Sequence, residues 1–134
     1  MKIPGFVFIL PAVFLLGCAT AGKLYQNYEF EKVEDKYEKA IRWSDYRIAN
    51  TFRKDAASED HPPDFDRLNQ FKVTSYSVKE RTQLMDQSQV RQTVEIGYYR
   101  ADSLIEKKVT DNQIWEYNKE QGRWYLLTGL PAFK

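Results

Sequence analysis

The chain of 134 residues holds one cysteine, Cys18, and one histidine, His61. A transition-metal site needs three or four such ligands brought together, so no metal is expected, and a lone thiol excludes a disulfide framework. His61 stands before Pro62-Pro63 in a polar run, 55–64, with no second His or Cys to work with, and reads as an exposed loop residue. Other catalytic spellings are absent: there is no glycine-rich phosphate loop, no Gly-x-Ser-x-Gly, no HExxH and no calcium loop. Trp43, Trp115 and Trp124 could stack on the sugars of a wall polymer, yet in so short a chain aromatic residues are the natural builders of the core. Lys107-Lys108 is a short basic step of the kind that marks a solvated strand edge. With 20 basic and 19 acidic side chains the formal charge is only +1. Nucleic acid is therefore not expected as a partner, because phosphate binding needs a basic surplus on one face. That leaves the cysteine.

Cys18 follows an N-terminal leader. Lys2 precedes an apolar run from Ile3 to Leu16, interrupted only by Pro4, Gly5 and Pro11. The run has the length of a signal-peptide core and falls short of the ~20 residues that a spanning helix needs. It ends in Leu15-Leu16-Gly17-Cys18, which resembles the lipobox of bacterial lipoproteins. The resemblance implies cleavage between Gly17 and Cys18, a diacylglycerol on the Cys18 sulfur, and acylation of the new amine, palmitate being a typical chain. Each buried methylene adds ~0.8 kcal/mol, so two or three acyl chains anchor a protein stably. The same resemblance implies a place in the bacterial cell envelope. Where the host has two membranes it implies the outer one, since Ala19 rather than an aspartate follows the cysteine. The lipid on Cys18 is the one attached group expected, no cofactor is, and a catalytic role for the thiol falls away. Ala19-Thr20-Ala21-Gly22 would then be a tether reaching only ~16 Å when extended, which holds the domain against the membrane surface. The organisation is a signal peptide over 1–17, a short lipid tether over 18–22 and one domain over 23–134, a length that supports a single core.

From Lys23 to about Lys54 there is no proline or glycine, and Phe30, Val33, Tyr37, Ile41, Ile48 and Phe52 recur at helical steps. Asp35 with Lys39 and Glu38 with Arg42 are acid-then-base pairs one turn apart. Ser44 or Asp45 could cap a second helix and split the segment there. An amphipathic helix of this kind covers a sheet by default; the functional reading is a face for a partner or for a membrane. After the loop over 55–64, Phe65 to Gln70 suits one helical turn. The period then changes to two. Phe71 to about Gln83 is one strand, with a phase shift that suggests a bulge at Thr74-Ser75. Met85-Asp86-Gln87-Ser88 would turn the chain into a second strand, in which Val90, Gln92, Val94, Ile96 and Tyr98 alternate with polar residues. A third strand is expected from about Leu104 to Tyr117 and a last one from Arg123 to Thr128, joined by a turn at Gly122.

The expected fold class is α+β: a long N-terminal helix, open to a break near Ser44, packed on a curled antiparallel sheet of about four strands. The ending Ile114-Trp115-Glu116-Tyr117, Gly122, Arg123-Trp124-Tyr125-Leu126 resembles the final hairpin of nuclear transport factor 2-like and cystatin-like folds. Such folds can host enzymes that set a carboxylate base opposite acidic donors in an apolar pocket. Asp102, Asp111, Tyr76, Tyr98 and Tyr99 are the candidate pieces here. Asp102 and Asp111 read as turn residues, however, and strand-borne tyrosines fill cores, so no catalytic residue is assigned. The expectation is an anchored envelope lipoprotein of non-enzymatic type, with the membrane and an envelope protein as partners. The alternative is a small-ligand or wall-glycan binder whose concave sheet face is lined by Tyr76, Tyr98, Trp115 and Trp124.

Overall fold

The computed structural model describes residues 17–84, 86 and 88–134. The leader over 1–16, with Leu15 and Leu16 of the expected lipobox, lies outside the described residues, as do Met85 and Gln87 of the expected turn. The chain is an α+β domain in which helix α1, Gly17–Arg42, packs on a four-stranded antiparallel sheet. Gly17 and Cys18 belong to α1. Residues 18–22, expected as a short tether, have helical backbone, which rises ~1.5 Å per residue.

The helix does not continue to Lys54. Asp45 donates its amide to the Ala40 carbonyl at 2.8 Å and Ser44 to that of Ile41 at 2.9 Å, with Ser44 in the left-handed region at φ 56. That pair of bonds closes the helix end. Glycine is the usual residue at such a position, but here the serine hydroxyl makes a bond that glycine could not, accepting from the Val73 amide at 3.2 Å. Asp45 then caps α2, Tyr46–Asn50, by accepting from the Ile48 amide. Asp64 likewise caps the single turn α3, Phe65–Leu68.

The strands are β1 Phe71–Gln83, β2 Gln89–Arg100, β3 Glu106–Asn118 and β4 Arg123–Leu126, paired in sequence order. Alternation places Val90, Gln92, Val94, Ile96 and Tyr98 of β2 on the face under α1, all of them buried. The suggested bulge is present as a register shift between Val73 and Ser75, and a second shift falls between Val78 and Glu80. Gly97 sits opposite the first, where a Cβ would collide with the Ser75 and Thr74 hydroxyls. The expected curl is corrected. With β4 only four residues long, the sheet has too little width at that edge to roll around the helix, and it lies as an uncurled open meander. Both edges are partly covered: Ser44 and Arg42 bond to β1 at Val73 and Tyr76, and residues 52–54 bond to β4 at Leu126.

The core lies between α1 and the sheet. Phe30, Tyr37 and Ile41 of α1 meet Trp115 of β3 and Trp124 of β4, with Phe30 edge-on to both tryptophans at 6.0 and 5.0 Å. The Trp124 indole donates to the Gln26 carbonyl at 3.0 Å, tying the first half of the helix to β4. At the other end of the sheet Phe133 packs among Tyr46, Phe71 and Tyr98.

Candidate functional site

The residues able to carry chemistry gather at two kinds of place: a buried polar cluster under α1, and exposed apolar positions at the ends of elements. The cluster is built by strand alternation. Gln92 of β2 and Asp111, Gln113 and Trp115 of β3 all point toward α1, which contributes Glu34 and Tyr37. Gln113 is the hub. Its amide nitrogen donates to the Asp111 carboxylate at 2.8 Å and to the Tyr76 hydroxyl at 3.1 Å. Its carbonyl oxygen accepts from Gln92 at 2.8 Å and from the Trp115 indole at 3.1 Å. At the rim Arg81 donates to Gln92 at 3.0 Å, lies 3.5 Å from the Glu34 carboxylate and stacks over Phe30 at 5.2 Å.

Burial dominates the electrostatics here. It pushes the Asp111 carboxyl above its ordinary range, against the hydrogen bond from Gln113. It pushes Glu34 up as well, with the Arg81 guanidinium pulling the other way. The phenols of Tyr37 and Tyr76 are raised for the same reason and stay neutral. The Tyr37 hydroxyl is buried with no partner among the described residues. A base and acidic donors are thus brought together, but they are sealed: Asp111 is 8% exposed and Gln113 1%. The arrangement ties β1, β2 and β3 together through Gln113, and α1 joins it through Glu34, which accepts from Gln92 at 3.5 Å.

Asp111, read from the sequence as a turn residue, is corrected: it lies within β3 opposite Val94 and is buried, because the strand runs through it to Asn118. Asp102 does lie in a turn and pairs with Arg100 at 2.9 Å. Tyr76 and Tyr98 are buried, and Trp115 and Trp124 are fully so. The Tyr98 hydroxyl donates to the Lys134 carbonyl at 3.2 Å. These four aromatics form core under α1 and the C-terminal segment, which leaves no open face at them for a ligand to stack on. His61 is exposed in its loop. Among the described residues no group of His, Cys, Asp and Glu is arranged to hold a metal, and no helix is long and apolar enough to cross a membrane.

The exposed apolar positions were not legible beforehand. Leu104 and Ile105, expected at the start of the third strand, are corrected to the tip of the β2–β3 hairpin. After Arg100 the chain must reverse, and the amides of Ser103 and Leu104 both turn back to the Arg100 carbonyl. Leu104 takes φ 53 there and is 74% exposed, with Ile105 63% exposed. A bulky side chain in the left-handed region is strained by about 1–2 kcal/mol. Trp43 is exposed at the end of α1, beside an open groove of about 400 Å³ lined by Lys36, Lys39, Ala40, Asp45, Ile48 and Phe52. The signal that could have found these sites is a hydrophobic residue in a segment the chain must turn at. Comparison with family models, with curated proteins and with solved structures returns no match for this chain.

Proposed function

We propose that this protein is a lipid-anchored bacterial envelope lipoprotein that acts without catalysis, by presenting its β2–β3 hairpin tip to a protein partner. The observation that carries the reading is the Leu104–Ile105 pair, exposed and apolar, on a backbone strained at Leu104. Exposed aliphatic side chains held at a strained tip gain nothing in the isolated domain, and strain of this kind clusters at functional positions. The sealing of Asp111, Glu34 and the phenols under α1 supports a non-catalytic role. The leader and the Leu15-Leu16-Gly17-Cys18 spelling support the anchor on Cys18 and, in a host with two membranes, the outer one. A helix segment followed by a four-strand meander supports a likeness to cystatin-like and nuclear transport factor 2-like folds.

The test separates folding from binding. Asparagine tolerates the left-handed region, so Leu104→Asn should stabilise the domain by about 1 kcal/mol while deleting the apolar contact. Lys107 and Lys108 flank the tip and supply amines for in-cell crosslinking. The expected result is one partner captured through these lysines, lost in Leu104→Asn and in an unanchored Cys18→Ala chain. Equal capture by Leu104→Asn, or recovery of the chain alone, refutes the proposal.

A further inference from the structure

The inner face of α1 is spent on the core, and the outer face has a composition of its own. Tyr25, Tyr28, Lys32, Lys36, Lys39 and Trp43 are all exposed. At about 3.6 residues per turn these six positions share an arc of about 80° on the side away from Phe30, Glu34, Tyr37 and Ile41. No carboxylate falls within that arc. Glu31, Asp35 and Glu38 line one flank and Glu29 the other, where Glu29 and Asp35 pair with Lys32 at 3.7 Å and Lys39 at 2.7 Å. Lys36 has no ion pair among the described residues. Trp43 closes the stripe at 83% exposure, with Ile48 exposed beside it. Aromatic rings with polar edges, interleaved with lysines, are the composition that settles at the headgroup level of a bilayer.

We propose that α1 lies flat on an anionic phospholipid surface, its outer stripe from Tyr25 to Trp43 forming the contact over about 27 Å of helix. The proposal rests on the lipid anchor at Cys18, which brings the N-terminal end of the stripe to the bilayer. The lysines face anionic headgroups, Tyr25, Tyr28 and Trp43 enter the interface, and Ile48 adds apolar surface at the far end. The sheet then stands on top of the helix, with its outer face turned away from the membrane.

The tryptophans make the test selective, because Trp115 and Trp124 are fully buried and Trp43 is not. The lipidated full chain is reconstituted with vesicles of phosphatidylethanolamine and phosphatidylglycerol whose acyl chains carry bromine, then floated on a density gradient. A Trp43→Phe chain supplies the background from the other two tryptophans. The expected result is Trp43 emission that shifts to the blue, is quenched by bromine and is shielded from aqueous acrylamide. In Lys36→Glu the bromine quenching should fall and the acrylamide quenching rise. A floated chain whose Trp43 is untouched by bromine and open to acrylamide overturns the stripe and leaves the anchor intact. Crosslinks in cells from Lys36 or Lys39 to another protein, without bromine quenching, overturn it in favour of a protein-binding face. A chain that does not float overturns the anchor as well.

Discussion

Asp111 offers the sharpest test of how the domain is held together. It is 8% exposed in the middle of β3, and its carboxylate accepts one hydrogen bond, from Gln113 at 2.8 Å. Burial raises its pKa, so the folded chain holds this proton more tightly than the unfolded chain does. Stability is then fully present below the ordinary carboxylate pKa and is lost as pH rises through the folded value, above which the penalty is constant. In Asp111→Asn the side-chain oxygen keeps the bond from Gln113, and the charge is gone. A buried charge held by one hydrogen bond costs on the order of 1–3 kcal/mol, and the new amide NH₂ returns part of that as an unmet donor. The expected net gain is about 1 kcal/mol at neutral pH, which raises Tm by roughly 4 °C. Below the ordinary carboxylate pKa the two chains should converge or invert, because Asp111 is then protonated in the folded and the unfolded chain alike. The assay is urea unfolding followed by tryptophan fluorescence across this range, read as the difference between variant and parent so that every other carboxylate cancels. Glu34 is raised by burial too and keeps its own slope in both chains. An Asp111→Asn chain less stable than its parent at neutral pH, or a difference that does not change with pH, would refute this account of the cluster.

Two further perturbations probe the packing. Gly97→Ala should destabilise by about 1–3 kcal/mol in denaturant unfolding, since its methyl group displaces Ser75 from the bulge and breaks the bond from the Gly97 amide to the Ser75 hydroxyl at 3.1 Å. A change of under about half a kcal/mol would show that the bulge is softer than its geometry implies. Phe30→Ala removes a ring that touches both buried tryptophans and should cost about 3–5 kcal/mol. Its signature in hydrogen exchange is early opening of α1 ahead of the strands; uniform exchange across the chain would argue against the helix docking through that residue.

Much of the architecture was legible because it depends on short-range periodicity. The three- and four-residue spacing of Phe30, Val33, Tyr37 and Ile41 and the alternation from Val90 to Tyr98 each specify an element and its buried face without knowledge of its neighbours. The phase shift at Thr74-Ser75 was readable for the same reason: an extra residue inverts the alternation locally. Alternation carries no information elsewhere. A buried aspartate and a turn aspartate are spelled alike; only the position of Asp111 opposite Val94, under a helix, distinguishes them. Leu104 and Ile105 look like strand residues until the reversal after Arg100 is known.

The sequence by itself determined the element order and the division of α1 and β2 into inner and outer faces, and it carries a leader whose ending, Leu15-Leu16-Gly17-Cys18, resembles a lipobox. Tertiary structure decided what each face is for. Whether Tyr76, Tyr98, Trp115 and Trp124 line a pocket or fill a core depends on what lies over them, and α1 with the C-terminal segment covers them. That contact is between residues far apart in the chain, held by Gln26 with Trp124 and by Glu34 with Gln92. Local spacing sets which side chains share a face, and only the packing of one element on another sets which of those faces remains open to water, lipid or a partner.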